Sequence, residues 1–304
     1  MHFPEKIKIR EVSPRDGLQG ERKQLTTAAK VELVNLLSLA GFSQINVTSF
    51  VSAARVPNMA DAAEVMARID RKPGVVYDAT VPNLKGAQRA IDAGADAIVT
   101  FVAASEMANR GNVGRTTAEA LRLAEEVIDT ARAAGLAAIG TISSAFGSPY
   151  GEIIGQADVT RLARRLADAG ATGLALGDTS GEGDPRRVYE LVASLLAELG
   201  HIELSLHLHD TRGLALANAT AAMQAGAMSF DGAVGGIGGS PFTDNSAGNL
   251  ATEDFVEMCR RMGIETGVDQ AVVLEANRLL SAELGRPLDS KVGRLRPAGA
   301  GASR

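Results

Sequence analysis

The apolar and polar positions of the chain follow a repeating order, in which an amphipathic, helix-like stretch ends in Ala-Gly and an apolar run begins shortly afterwards. The order occurs five times, at Ala40-Gly41, Ala93-Gly94, Ala134-Gly135, Ala169-Gly170 and Ala225-Gly226. A glycine after the last helical turn adopts the left-handed conformation with little strain. Short apolar runs without alternation are typical of strands buried on both faces. The pattern therefore predicts strand–helix units with parallel strands.

Filling the intervals with the same unit predicts eight strands, over 7–12, 44–49, 74–79, 96–102, 136–142, 172–177, 202–208 and 229–234. Eight alternating strands and helices in 304 residues favour an α/β fold, a TIM (β/α)8 barrel with extra C-terminal helices. A doubly wound open sheet is the alternative. The extra helices, near 252–263 and 270–283, are expected to close the barrel.

We expect one domain over 1–304, because no linker rich in Pro, Gly or Ser divides the chain. The barrel is predicted over about 6–265 and a C-terminal helical cap over about 266–293. The remaining tail, 294–304, is rich in Gly and Ala and is expected to fray.

Composition narrows the class of protein. Hydrophobic residues make up 45% and charged residues 22%, which is typical of a folded globular chain. A net charge of −5 without Lys/Arg runs argues against a nucleic-acid partner. The chain has neither a signal-peptide pattern at its start nor an apolar stretch of about 18 residues, so we expect a cytoplasmic protein without membrane spans. The single cysteine, Cys259, excludes an internal disulfide and a thiolate metal cluster.

In a TIM barrel, polar residues at the ends of strands are candidates for chemistry. His207 and His209 stand two positions apart at the end of the seventh predicted strand, so both point to one face and can share a metal ion. Asp16, after the first strand, can add a carboxylate oxygen. Such ligands suit Mg²⁺ or Mn²⁺ better than structural zinc. The alternatives are hydrogen-bonded histidines in a polar barrel mouth and a simple turn residue at Asp16.

Three more strand-end features are candidates. Arg15 can stabilise a developing enolate or carboxylate, although it can equally form a salt bridge. Asp178, after the sixth strand, is either a second acid or a structural partner. The glycines of 235–239 predict either a lid over the substrate or a flexible surface loop.

At these residues the sequence resembles the 3-hydroxy-3-methylglutaryl-CoA lyase family, within the metal-dependent barrel lyases and synthases that carry Arg-Asp on strand 1. The most specific motifs are RDGLQ, HLHDT and GNLATED, in this order. The matching segments, which extend over nearly the whole chain, are EVSPRDGLQGE (11–21), TSFVS (48–52), VPNLKG (81–86), AASE (103–106), LGDTSG (176–181), HLHDTRGLALAN (207–218), GGIGGSPF (235–242) and AGNLATEDFV (247–256).

The resemblance implies a carbon–carbon lyase that cleaves a 3-hydroxyacyl-CoA, by default 3-hydroxy-3-methylglutaryl-CoA, to acetyl-CoA and acetoacetate, as in leucine degradation. It also implies a divalent cation, Mg²⁺ or Mn²⁺, and a homodimer or higher homo-oligomer. The implied metal ligands are Asp16, His207, His209 and Asn249. The implied catalytic residues are Arg15, Asp178 and Ser240. The substrate-binding residues predicted within the matching segments are Gln19, Ser49, Asn83, Thr179, Gly238 and Gly239.

Three positions depart from the family pattern. Ser240 stands where the family has a cysteine proposed as catalytic acid and base, and an alcohol does not ionise usefully near neutral pH. Asn46 replaces a glutamate on strand 2, and Ile139 replaces an arginine on strand 5. Because a carboxylate and a guanidinium are both missing, the change is interpreted as charge-balanced and the pocket as reshaped around the same metal core.

Three alternatives to the default function stay open. One is a related lyase for another branched 3-hydroxyacyl-CoA. Another is a condensing enzyme of the isopropylmalate or homocitrate synthase type, which the loop sequence GGSPFTDNSAGN disfavours. The last is a catalytically silent barrel that binds CoA esters or a protein partner.

Overall fold

Eight parallel strands follow one another around a closed barrel in chain order. The computed structural model describes residues 3–239 and 248–295. The strands are β1 (Lys8–Glu11), β2 (Gln44–Ser49), β3 (Val76–Thr80), β4 (Ala97–Ala103), β5 (Ala137–Ser143), β6 (Gly173–Asp178), β7 (Glu203–Leu208) and β8 (Ser229–Gly232). Strand β1 pairs with both β2 and β8. This closure confirms the TIM barrel and excludes the open sheet.

One or two helices separate each pair of consecutive strands, and two more follow β8. They are α1 (Thr27–Leu37), α2 (Ala62–Arg68), α3 (Leu84–Asp92), α4 (Glu106–Val113), α5 (Thr117–Ala133), α6 (Gln156–Asp168), α7 (Pro185–Leu199), α8 (Ala215–Gln224), α9 (Thr252–Met262) and α10 (Gln270–Leu284). Helices α9 and α10 coincide with the two extra helices expected from the sequence. Across the described residues, none of the helices combines the length and the apolar character that a membrane crossing requires.

The Ala-Gly pairs end helices as the sequence pattern predicts. All five of their glycines have positive φ angles, of 86°, 73°, 76°, 98° and 104° in chain order. At Gly41 close packing adds a second constraint, because a Cβ atom would lie 2.3 Å from the carbonyl oxygen of Gly267. The chain therefore turns from helix to strand at positions where only glycine is free of strain.

Buried carboxylates hold the chain segment that follows β8. Glu11, fully buried, accepts hydrogen bonds from the backbone N–H of Val234 at 3.2 Å and from the Thr252 hydroxyl at 2.6 Å. Glu253 accepts from the N–H of Gly235 at 3.0 Å. Burial raises the pKa of Glu11 to about 7, against the opposing effect of its hydrogen bonds. The start of the glycine-rich segment is thus fixed to β1 and α9.

We expect Leu33→Ala to lower the free energy of unfolding by about 2–5 kcal/mol, because it leaves a cavity between α1 and the barrel. Leu33 is fully buried in the core. Leu39→Ala is the matched control, since that side chain is 60% exposed, and its effect should stay within about 0.5 kcal/mol. Urea denaturation of both variants measures the difference, and equal effects would contradict the packing described.

Candidate active site

A cavity of about 310 Å³ opens at the carboxyl ends of the strands, and we call it the upper cavity. Arg15, Asp16, His207 and His209 border it together with residues of β2 to β6. Its size lies at the lower end of the range of small-molecule sites, which are concave and mostly preformed. The candidate residues that the sequence places at the ends of different strands therefore line the same cavity.

Asp16 lies in a single π-helical turn, Ser13–Gly17, that directly follows β1. Its Oδ1 accepts hydrogen bonds from Arg15 Nη1 at 2.7 Å and Gln19 Nε2 at 2.9 Å. Its Oδ2 accepts from Asn249 Nδ2 at 3.0 Å. Burial would raise the pKa of this carboxyl, but the positive charges of His207 and Arg15 outweigh burial and hold it at about 2. Asp16 is therefore ionised at neutral pH.

His207 and His209 point to the same face at the end of β7, as their spacing predicts. Their Nε2 atoms are 3.1 Å apart, and Nε2 of His207 lies 3.7 Å from Asp16 Oδ2. The other ring nitrogen of His207, Nδ1, lies 3.0 Å from Asp231 Oδ2. A carboxylate at that distance fixes the proton on Nδ1 and leaves the Nε2 lone pair free to bind a cation.

Asp231 is held in turn by Arg10, which projects into the barrel from β1. The guanidinium makes two parallel bonds to Asp231, Nε–Oδ1 at 2.9 Å and Nη2–Oδ2 at 2.6 Å. Burial would raise the pKa of Asp231, but the charge of Arg10 and the hydrogen bond with His207 lower it instead. A buried chain of hydrogen bonds, from the Arg10 guanidinium through the Asp231 carboxylate, therefore orients the His207 ring.

The two imidazoles differ in protonation. Burial, followed by the charge of His207, lowers the pKa of His209 to about 4, so its ring is neutral. Burial also disfavours the charged form of His207, but the Asp231 hydrogen bond and the Asp16 charge raise its pKa above the ordinary value. A cation that binds here competes with one proton, on His207.

The residues present fit a divalent cation. One oxygen or nitrogen atom from each of Asp16, His207 and His209 lies within 4.8 Å of the other two. Nδ1 of His209 is buried and has no hydrogen-bond partner in the part of the chain that the structure describes. Asn249, paired with His209 by an antiparallel bridge, lies beside the same carboxylate. Carboxylate, imidazole and amide groups are ligands typical of Mg²⁺ and Mn²⁺ sites.

Asp178 lies at the predicted strand end, but its carboxylate points away from the upper cavity. It accepts hydrogen bonds from the backbone N–H of Glu182 at 2.9 Å and of Gly183 at 3.0 Å. Burial raises its pKa to about 6. Its observed contacts shape the loop after β6, while the next residue, Thr179, borders the cavity. A catalytic role for Asp178 stays a prediction.

The other predicted substrate-binding residues divide into two groups. Gln19 and Asn83 border the upper cavity, and Asn83 also caps α3 through the N–H of Gly86 at 2.9 Å. Ser49 is fully buried, and within the described ranges its hydroxyl has no hydrogen-bond partner. Their contacts with substrate stay predictions.

Gly238 and Gly239 follow the 3-10 turn Val234–Gly236 and have φ angles of 118° and 155°. A Cβ atom on Gly238 would lie 2.3 Å from Asn249 Nδ2. Glycine is therefore required there for Asn249 to reach Asp16. Ser240 lies outside the described residues.

Asn46 and Ile139 border different cavities. Asn46 borders the upper cavity and donates its amide N–H to Asp78, whereas Ile139 borders a smaller cavity at the opposite end of the barrel. Arg10 borders both cavities, with Nη1 3.9 Å from Asp78 Oδ2. The barrel thus contains a guanidinium and a carboxylate near Asn46, supplied by other strands.

Sequence reasoning missed Arg10, Asp78 and Asp231 as parts of this network. Each is an ionisable residue inside a run assigned to a buried strand. A charge buried in a strand requires a partner, so the sequence alone indicates that each of these residues has one. The sequence does not indicate the identity of the partner, because it depends on the register between strands.

Known proteins resemble the chain over nearly its full length. Residues 6–280 match the family model described as HMGL-like. The hydroxymethylglutaryl-CoA lyase of Bacillus subtilis (strain 168) is 40% identical over 291 residues, which cover 96% of this chain and 97% of that protein. The mitochondrial hydroxymethylglutaryl-CoA lyase of Bos taurus is 42% identical over 290 residues, covering 95% of this chain and 89% of that protein.

A solved structure gives the same result. An HMG-CoA lyase from Acinetobacter baumannii, in complex with coenzyme A and 3-methylmalate, superimposes with a TM-score of 0.93 at 36% identity. The match covers 100% of this chain and 98% of that one. The similarity includes the β1, β7 and β8 ends that carry the site.

We expect His207→Ala and His209→Ala each to weaken Mn²⁺ binding by about a hundredfold or more, since each removes a ligand. In the unaltered protein the affinity should fall as the pH is lowered through the His207 pKa, which lies above the ordinary histidine value, because a proton on His207 then competes with the cation. Calorimetric titration with Mn²⁺ measures both effects. His201→Ala, which changes an exposed histidine, is the control and should bind normally. Unchanged affinity in either cavity variant would refute the ligand assignment.

Proposed function

The chain belongs to the HMGL-like family, and on this basis we propose that it is a carbon–carbon lyase that cleaves 3-hydroxy-3-methylglutaryl-CoA to acetyl-CoA and acetoacetate. The observation that carries the proposal is the convergence of Arg15, Asp16, His207 and His209 in the upper cavity, with Asn249 hydrogen-bonded to Asp16. These residues come from the ends of three strands, yet their polar groups meet at hydrogen-bonding distances.

Asp16, His207, His209 and Asn249 would hold a divalent cation, Mg²⁺ or Mn²⁺. When bound, the cation supplies positive charge and Lewis acidity to oxygen atoms of the substrate. The residues around these ligands fix their orientation before substrate arrives. Arg10 and Asp231 hold the His207 ring, and Gln19 holds the Asp16 carboxylate. Little reorganisation is then needed during the reaction.

Cleavage begins when a base removes the proton from the tertiary hydroxyl of the substrate. The oxygen then forms the ketone of acetoacetate, the carbon–carbon bond breaks, and its electron pair forms the enolate of acetyl-CoA, which is protonated on carbon. Arg15 borders the cavity with a buried Nε that has no partner in the described part of the chain. Its charge stabilises the thioester oxygen as negative charge develops there.

Ser240, which stands where the family pattern has a cysteine, is proposed to relay the proton and not to act as the free base, because an alcohol does not ionise usefully near neutral pH. Asp178 is a weak candidate for the base, because the backbone N–H groups of residues 182 and 183 occupy its carboxylate. We propose that Asp178 positions the loop after β6, which carries Thr179 to the cavity.

A related lyase for another branched 3-hydroxyacyl-CoA is the second candidate function. It is favoured by Asn46, whose neutral amide borders the cavity at the position that carries a glutamate in the family pattern. The complete ligand set argues against a silent barrel, and the identity of 40% and 42% to two hydroxymethylglutaryl-CoA lyases over nearly the whole chain argues against a condensing synthase. The cytoplasmic location and the homo-oligomeric state stay predictions.

The test of the function is to incubate the purified protein with Mg²⁺ or Mn²⁺ and a panel of 3-hydroxyacyl-CoA thioesters, and to assay release of acetyl-CoA. The 3-hydroxy-3-methylglutaryl thioester should be cleaved with the highest kcat/KM. Faster cleavage of another branched thioester would favour the second function. Absence of cleavage for the whole panel, in a protein that binds Mn²⁺, would refute both.

For Arg15→Lys we expect kcat to fall about a hundredfold with little change in KM, because the lysine keeps a charge but loses the planar fork that meets the developing enolate. Arg22→Lys, which changes an exposed arginine, should leave both constants unchanged. Steady-state kinetics on the preferred thioester measure the difference. A rise in KM alone would show that Arg15 binds substrate and transition state equally.

Ser240→Cys should raise activity on the 3-hydroxy-3-methylglutaryl thioester if residue 240 carries the proton, because a thiol ionises nearer to neutral pH. If the pocket is rebuilt, the rise should require Asn46→Glu as well, with Ile139→Arg to balance the charge. The introduced thiol can be titrated selectively, since burial raises the pKa of Cys259 to about 12. Full activity of Ser240→Ala would show that residue 240 is not the proton carrier.

A further inference from the structure

Two arginines border the upper cavity where it meets solvent. Arg55 lies in the loop after β2, and Arg115 lies between α4 and α5 in the connection after β4. Both are exposed. They come from different loops, so their presence at one cavity follows from the fold and not from their sequence neighbours.

The two loops are joined at this point. Arg55 Nη1 donates a hydrogen bond to the backbone carbonyl oxygen of Asn112, at 2.7 Å. Asn112 and Val113 also border the cavity and lead directly to Arg115. The bond occupies one donor of the Arg55 guanidinium, whose remaining N–H groups are available to a ligand.

The charges of Arg55 and Arg115 are not neutralised by the protein. Over residues 3–239 and 248–295, neither guanidinium lies within ion-pair distance of a carboxylate, whereas the nearby Arg110 pairs with Glu106 at 2.9 Å. Glu119, close enough for Arg115 to affect its pKa, is already engaged by the backbone and hydroxyl of Thr116. In a chain with net charge −5, two unpaired cations at one cavity mouth point to an anionic ligand.

The reacting groups border another part of the cavity. Arg15, Asp16 and His207 stand at the ends of β1 and β7. The loop after β4 is three strands away from each of these ends around the barrel, whereas the loop after β2 is next to β1. The cavity wall next to the arginines is apolar, formed by Val56 and Val113. A ligand that fits has a polar reacting end, an arm with little charge, and a strongly anionic far end.

We propose that Arg55 and Arg115 bind phosphate groups of the CoA nucleotide, its diphosphate or its 3′-phosphate, and so fix the direction in which the acyl-CoA leaves the barrel. The proposal rests on the proposed function, because it takes an acyl-CoA as the substrate. The thioester lies at Arg15, the pantetheine arm runs along the apolar wall, and the phosphates lie between the loops after β2 and β4.

The test compares Arg55→Ala, Arg115→Ala and the double variant with the unaltered protein in calorimetric titrations with coenzyme A, dephospho-CoA and pantetheine. Each single change should raise the Kd for coenzyme A roughly three- to tenfold, the double change should raise it more, and pantetheine binding should not change. Added salt should weaken CoA binding less in the variants. If the variants bind dephospho-CoA as tightly as the unaltered protein does, the arginines contact the 3′-phosphate. If the variants bind dephospho-CoA more weakly, the arginines contact the diphosphate.

Kinetics supply the second readout. On the cleaved thioester the variants should raise KM and leave kcat unchanged, and Arg115→Lys should restore part of the affinity. Arg110→Ala, on the neighbouring helix and paired with Glu106, is the matched control and should behave as the unaltered protein.

Four results separate the two proposals. Equal weakening of coenzyme A and pantetheine binding would overturn the phosphate assignment and indicate a contact with the pantetheine arm. Unchanged CoA binding in the variants would also overturn it. Arginine-dependent CoA binding without cleavage of any thioester would leave it intact and refute the proposed function. Absence of CoA binding by the unaltered protein would overturn both.

Discussion

A carboxylate removed from water must regain its lost hydration from cations or hydrogen-bond donors, and this requirement determines how the barrel interior is built. Asp16 is held by Arg15, Gln19 and Asn249, and Asp231 by Arg10 and His207. These partners come from β1, β7, β8 and the segments that follow them. The same contacts that make the buried charges tolerable also set the direction of three of the four proposed metal ligands, Asp16, His207 and Asn249.

The polar interior distinguishes this barrel from one filled with branched aliphatic side chains. Arg10, Asp78 and Asn46 occupy inward positions on three successive strands, where a TIM barrel normally packs Val, Ile or Leu. The apolar core lies instead between the strands and the surrounding helices, where Leu33 and Phe230 are fully buried. The side chains that stabilise the fold and those that form the site therefore lie in different layers of the barrel.

Much of this arrangement could be predicted from the sequence, for identifiable reasons. Chain-reversing glycines such as Gly41 follow five of the helices that precede a strand, and the spacing of His207 and His209 determines that they share a face. Partnerships between distant strands could not be predicted in the same way. The missing charges at Asn46 and Ile139 suggested a compensating pair, but the guanidinium and carboxylate beside Asn46 belong to Arg10 and Asp78. Nothing in the spacing of Arg55 and Arg115 indicated that their loops meet.

The proposed metal ligands Asp16 and Asn249 follow β1 and β8, the two strands whose pairing closes the barrel. The hydrogen bond from Asn249 to Asp16 joins residues 233 positions apart, so the site exists only after the last strand has paired with the first. During synthesis a nascent chain that lacks β8 has Arg15 and Gln19 as partners for Asp16 but not Asn249. Contacts of such long range form late in folding. A cation would bind only to the closed barrel, because only the closed barrel has all the ligands. Its binding would therefore stabilise the closed barrel relative to partly opened forms.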